Sequence, residues 1–300
     1  MRVLVTGGAG FIGGHVCSAL VKAGHDPLIF DHYDRGGYDY PVILGDVRDA
    51  TAVTEAMAHA GGWIHLAAVL GTQETIANPR PAAESNLMGG LNMLEAATQY
   101  DVPGVYIGVG NHWMNNSYSI SKTMVERYVD MYNKNRGARV NVVRAMNAYG
   151  PGQIATPPWD TSRVRKITPA FICRALDKLP LEVYGDGAQV SDMVYVGDVA
   201  KALVRALEYA TGGDVFANPV EIGPAEHTTV QQFAQMVIDA CGSASEIVNL
   251  PMRPGEIPSS VVCAATDTLD LVGMLPDELM PLSDGLAVTV TDFRQRYFRC

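Results

Sequence analysis

The first apolar run of this chain, Arg2–Thr6, passes directly into Gly7-Gly8-Ala9-Gly10-Phe11-Ile12-Gly13. Behind the glycines, residues 11–23 carry apolar side chains at helical spacing (Phe11, Val16, Leu20, Val21), and Gly24 stops them. A strand that enters a helix through glycines opens a parallel crossover unit. Gly7, Gly10 and Gly13 let the backbone turn tightly and approach a pyrophosphate, whose charge the helix N-terminus favours. The GxxGxxG spacing differs by one residue from the GxGxxG fingerprint, so its place between strand and helix is what gives it meaning.

The alternation continues along the chain. Strands are predicted at 27–30, 42–44, 63–66, 104–107 and 139–144, and helices at 49–59, 82–99 and 118–136. The strands are apolar without in-out alternation, as strands buried on both faces are. The expected fold class is α/β, a Rossmann-type doubly wound parallel sheet with a smaller C-terminal α/β substrate domain. Near Tyr149-Gly150-Pro151-Gly152 prolines become frequent and the alternation fades. This divides the chain into an expected dinucleotide-binding domain, 1–150, and a substrate-binding domain, 151–300, with 194–210 returning to pack on the first.

A formal net charge of −10 gives no support to nucleic-acid or acidic-membrane binding. No apolar run approaches the ~20 residues of a membrane span. Cys17, Cys173, Cys241, Cys263 and Cys300 are scattered without CxxC spacing, which argues against a metal site or a disulfide framework. Reduced thiols fit a cytoplasmic protein. With a strand starting at Arg2, no signal peptide is expected.

Asp31 closes the second strand about 20 residues beyond the glycines, where a carboxylate can accept hydrogen bonds from both adenosine ribose hydroxyls. It would repel a 2′-phosphate, so NAD is the expected cofactor, with His32 beside it in the cofactor site. Tyr118 and Lys122 lie four apart on a predicted helix and share a face. A free phenol has a pKa near ~10, too high for a base at neutral pH. An ammonium and the positive nicotinamide both favour the phenolate, and Lys122 can also hold the nicotinamide ribose.

With these motifs in place the chain resembles the NAD-dependent epimerase/dehydratase family, extended short-chain dehydrogenase/reductases acting on nucleotide sugars. The resemblance rests on the glycine turn, Gly45-Asp46-Val47, His65-Leu66-Ala67-Ala68, Asn86, Tyr118 with Lys122, and Asn147-Ala148-Tyr149-Gly150-Pro151-Gly152-Gln153. It continues through Val183-Tyr184-Gly185-Asp186-Gly187, Tyr195-Val196-Gly197-Asp198 and Arg253-Pro254-Gly255-Glu256. The resemblance implies a nucleotide-sugar 4-epimerase of the UDP-glucose/UDP-galactose type, working through a transient 4-keto sugar. The alternatives are a dehydratase or other sugar oxidoreductase of the same family, and an NAD-binding protein that has lost catalysis.

The same resemblance implies residue roles. Tyr118 would be the base and Lys122 its helper. Asp46 and Val47 would contact the adenine, and Leu66, Ala67 and Ala68 would pass beneath the cofactor. Asn86 would support the strand ends. Thr75, Asn111, Asn147, Val183, Tyr184, Ser191 and Arg253 would bind the nucleotide sugar, most simply a UDP-sugar. Two helices, about 82–100 and 118–136, would pair in a homodimer.

Two departures stand out. Gly110 occupies the position where relatives carry a Ser or Thr that binds the reacting hydroxyl, and the loop from there to Tyr118 is short. Asn111 or His112 could supply a donor instead; neither is acidic, which weakens the dehydratase alternative. Ser191 stands where relatives carry an arginine. The stretch Arg163, Arg165, Lys166 is read as a solvated charge run that could compensate.

Overall fold

The computed structural model describes residues 1–37, 39–160, 164–253, 256–258 and 260–298. Its strands are β1 (Arg2–Thr6), β2 (Asp26–Asp31), β3 (Val42–Leu44), β4 (Gly62–His65), β5 (Gly104–Val109), β6 (Val140–Ala145), β7 (Asn147–Tyr149), β8 (Leu181–Tyr184), β9 (Val190–Ser191), β10 (Met193–Tyr195), β11 (Val220–Ile222), β12 (Ile247–Leu250) and β13 (Val261–Val262). The helices are α1 (Phe11–Lys22), α2 (Ala50–Met57), α3 (Glu74–Ala77), α4 (Arg80–Ala82), α5 (Gly89–Tyr100), α6 (Ser117–Arg136), α7 (Ile167–Leu176), α8 (Val196–Gly212), α9 (Val230–Cys241) and α10 (Leu282–Tyr297).

Seven strands form one sheet in the order β11-β6-β5-β4-β1-β2-β3, every pair parallel. The chain winds outward from β1 through β2 and β3, then returns to β4 and winds the other way. The reversal opens a crevice beyond the C-terminal ends of β1 and β4, where open parallel sheets bind ligands. On one face Val16 and Leu20 of α1 meet Val199, Leu203 and Leu207 of α8 over Val5 and Ile64. On the other, Val53 and Met57 of α2, Leu94 of α5 and Val125 and Val129 of α6 surround Trp63 and Tyr106. A third cluster, with Phe171, Val183, Phe233, Leu286 and Phe293, joins α7, α9 and α10 to the paired strands β8 and β12.

The helix predicted at 82–99 is interrupted. Ala83–Met88 form a wide π-helical turn before α5. Asn86 in that turn is buried and holds two segments: its amide oxygen accepts from Val69 N–H (2.7 Å), and its nitrogen donates to Val69 O and Ser121 Oγ (both 3.1 Å). Such a turn re-aims a single side chain without ending the helix. The helix that bears Tyr118 is started by Asn116, whose side chain accepts from Ser119 N–H at 2.9 Å.

Candidate active site

The glycine turn is shaped for close backbone approach. Gly7 has φ of +68°, and a Cβ there would lie 2.9 Å from the Ala67 amide nitrogen. At Gly13 a Cβ would come within 2.3 Å of the Gly7 carbonyl oxygen, a backbone atom that cannot step aside. The cap of α1 is Gly10, with no side chain to occupy the first-turn amides. Those amides and the positive helix end suit a pyrophosphate.

Asp31 is buried at the end of β2, its carboxylate accepting from Ala9 N–H (3.1 Å) and His32 N–H (2.8 Å). Oδ2 keeps a lone pair for a ribose hydroxyl, while Oδ1 also has His32 Nδ1 at 3.2 Å. Asp46 lies in the same cavity, gripped by Arg48 at 2.6–3.0 Å, and the guanidinium holds its carboxyl below the usual carboxylate range.

The floor is set by a residue pair that motif reading passed over. Thr6 Oγ1 accepts from the Leu66 and Ala67 amides (3.2 and 3.3 Å) and lies 2.6 Å from His65 Nδ1. With both lone pairs engaged, the hydroxyl must donate its proton to His65 Nδ1. His65 is fully buried, and desolvation pushes its pKa down to about 3, so it is neutral and fixes this tautomer. The end of β4 is thereby tied to β1 just where Leu66, Ala67 and Ala68 line the cavity.

Tyr118 and Lys122 both line the cavity, one turn apart on α6. Lys122 is 1% exposed; its ammonium makes no hydrogen bond among the described residues and sits 4.1 Å from the centre of the Tyr106 ring. Burial pulls the Lys122 pKa down to about 7, with Glu126 opposing, and pushes the Tyr118 phenol up to about 12. In the protein by itself burial therefore keeps the phenol protonated at neutral pH. A phenolate requires positive charge from a ligand. An orphaned buried ammonium beside it fits a ligand with ribose hydroxyls.

Thr75, expected at the substrate, does not line the cavity. Its hydroxyl donates to Gly71 O (2.7 Å) and accepts from Tyr118 N–H (3.1 Å), so it fixes the first turn of α6 and acts through Tyr118. Val183 is also displaced from its expected role. It faces the core and is fully buried, while its neighbours Glu182 and Tyr184 face the cavity, as alternation along β8 requires.

Tyr184 is covered by the Arg253 guanidinium at 4.5 Å from its ring centre, and Arg253 Nε donates to Glu256 at 3.0 Å. Asn147 donates to Ser191 Oγ at 2.8 Å, which links β7 to β9, strands that pair with β10 and β13 respectively. All five line the same cavity, of about 1040 Å³. That volume is at the upper end for single small-molecule pockets, as two ligands would need. Pro254 and Gly255 lie outside the described residues.

A side chain at Gly110 requires the Met146 thioether to move. A Cβ there would lie 2.3 Å from Met146 Sδ. Asn111 lines the cavity with its amide nitrogen 3.5 Å from Met114 Sδ, whereas His112 does not line it. Of the basic stretch, Arg163 lies outside the described residues. Arg165 donates to Pro158 O at 2.7 Å. Lys166 is not part of a purely solvated run: it lines the cavity, with its ammonium 5.9 Å from the centre of the Tyr118 ring.

A sequence profile described as "NAD dependent epimerase/dehydratase family" matches residues 3–218. A UDP-N-acetyl-alpha-D-glucosaminuronate decarboxylase of Bacillus cytotoxicus is 30% identical over 280 residues, covering 84% of each chain. A protein of Methanocaldococcus jannaschii described as a putative UDP-glucose 4-epimerase is 29% identical over 278 residues, 85% of this chain and 87% of its own. Among solved structures, a Thermus thermophilus UDP-glucose 4-epimerase in complex with NAD matches with a TM-score of 0.83 at 30% identity, over 99% of this chain and 100% of that one.

Proposed function

Starting from a chain that belongs to the NAD dependent epimerase/dehydratase family, we propose that it is a nucleotide-sugar 4-epimerase working through a transient 4-keto sugar. The observation that carries this reading is the placement of Tyr118 and Lys122 on one face of α6, in a cavity also lined by the glycine turn, Asp31, Tyr184 and Arg253. NAD, when bound, supplies the acceptor for the hydride leaving C4 and the positive ring that favours a phenolate.

The protein groups divide the remaining work. Gly7, Gly10, Phe11, Ile12 and Gly13 would hold the pyrophosphate, Asp31 and His32 the adenosine ribose, and Asp46 and Val47 the adenine. The Lys122 ammonium would take the nicotinamide ribose hydroxyls. Tyr118 would remove the proton from the sugar 4-hydroxyl as the C4–H bond breaks, then return it to O4 when hydride comes back to the opposite face. No reductant is consumed. Asn147, Ser191, Tyr184 and Arg253 would hold the nucleotide diphosphate and leave the sugar free to turn. Arginine suits the phosphates because its fork presents parallel donors.

The 4-epimerase relatives support this reading. The decarboxylase relative marks the second one, in which the same oxidation at C4 is followed by loss of carbon dioxide. Residues 1–150, joined by α8 and β11 from the second half, would form the cofactor domain, and the rest of 151–300 the substrate domain. The exposed apolar side chains of Met88, Ile120 and Met124 on the π-helical turn and α6 favour a homodimer. The test is Tyr118→Phe assayed with UDP-glucose and UDP-galactose and their N-acetyl and uronate forms. Turnover should fall about 10²- to 10⁴-fold; undiminished turnover refutes Tyr118 as the base.

A further inference from the structure

Resting on the oxidation at C4 proposed above, we infer that the sugar carries a carboxylate next to the reacting carbon, and that Lys166 is the residue that selects it. The substrate is then a nucleotide-linked uronic acid. Lys166 caps α7 and extends into the cavity, with its ammonium 5.9 Å from the centre of the Tyr118 ring. Lys122 approaches the same region from α6. Two lysines therefore line the cavity that holds the phenol.

A sugar whose 4-hydroxyl meets the Tyr118 oxygen presents the substituents on its neighbouring carbons to the other groups that line this cavity, Lys166 among them. On a hexose those are the 3-hydroxyl and the exocyclic C6. C6 is the one whose oxidation state changes its charge, from an alcohol to a carboxylate. Lys166 forms no ion pair among the described residues, and Glu74 is the carboxylate whose field reaches it. Lys166 is exposed overall, so its ammonium keeps contact with water while it lines the cavity. With the oxidised nicotinamide ring also present, a neutral sugar leaves positive charge in excess around the reacting carbon. A carboxylate offsets it and gains a charge-assisted hydrogen bond that a 6-hydroxyl does not offer.

A firm grip on that carboxylate has a chemical consequence. A 4-keto uronate is a β-keto acid, with the C4 carbonyl and the C6 carboxylate both attached to C5. It loses carbon dioxide when the electrons of the C5–C6 bond flow into the ketone as an enolate, which a proton then quenches at C5. Return of hydride to C4 before that bond breaks gives the 4-epimer with its carboxylate intact.

The experiment compares UDP-glucuronate with UDP-glucose on the NAD-loaded protein, as wild type, Lys166→Asn and Lys166→Arg. Affinity is read by calorimetry at low and high salt, and products by mass spectrometry. The wild type should prefer the uronate by about 10- to 100-fold in affinity and in kcat/KM. Asparagine should collapse that ratio, arginine should keep most of it, and salt should weaken uronate binding selectively. Equal or better use of UDP-glucose by the wild type, or a preference that survives in Lys166→Asn, overturns the inference. If both sugars bind but neither is oxidised, the proposed function falls while the binding ratio still decides the role of Lys166. A pentose product with carbon dioxide upholds the uronate and replaces epimerisation by decarboxylation.

Discussion

Replacing Lys122 by methionine should stabilise the cofactor-free protein while abolishing its activity. The ammonium is buried without a hydrogen-bond partner among the described residues, and its pKa falls from 10.5 to about 7. At about 1.4 kcal/mol per pKa unit, this corresponds to about 5 kcal/mol of destabilisation while the lysine is charged. Methionine keeps the length of the side chain and needs no solvation. Imperfect packing of the thioether should subtract about 1–2 kcal/mol, leaving a net gain of about 3 kcal/mol. The pH dependence follows from the two pKa values. Below about 7 both folded and unfolded chains are protonated and the penalty is fully present. Between about 7 and 10.5 the unfolded chain binds the extra proton, so wild-type stability rises with pH. Above 10.5 both states are neutral and the penalty is gone. Urea unfolding of both proteins across this range should show the variant ahead at low pH and the gap closing as pH rises. A variant equal to or weaker than wild type at low pH, or a gap that does not change with pH, refutes the reasoning.

Two further outcomes follow from the geometry. Gly110→Ser places a Cβ 2.3 Å from Met146 Sδ and should destabilise the protein by about 1–3 kcal/mol. Met146→Ala in the same chain should recover much of that loss, and strictly additive effects in a double-mutant cycle by urea unfolding would contradict the contact. Arg253→Ala leaves Tyr184 uncovered and Glu256 without its ion pair. It should raise KM for the nucleotide sugar about 10- to 100-fold with kcat nearly unchanged; an unchanged KM in steady-state kinetics would remove Arg253 from the substrate site.

The sheet was legible because buried parallel strands read as apolar runs, and the turn at Gly7–Gly13 announces the first crossover by itself. Asp31 was legible for the same reason, since its place is fixed by local chain geometry. What escaped depends on contacts between distant segments. Helical spacing through 82–99 survives the insertion of one wide turn, so the interruption at Asn86 left no trace in the pattern. Val183 and Tyr184 alternate across β8, and motif resemblance did not say which face meets the cavity. Thr75 reads as a polar loop residue until its bond to the Tyr118 amide is seen. The fit of Met146 against Gly110 joins residues just beyond the ends of β6 and β5, and the reach of Lys166 towards Tyr118 depends on where α7 begins.

The central claim is that the reaction starts by removing hydride from C4 of the sugar and ends by returning it there. The most direct measurement uses a UDP-sugar deuterated at C4, on wild type and Tyr118→Phe, with the product read by mass spectrometry and NMR. The expected result is a slowed reaction and a 4-epimer that keeps its deuterium at C4, with almost no product from the variant. A product with the label washed out to solvent, or inversion at a carbon other than C4, would contradict it.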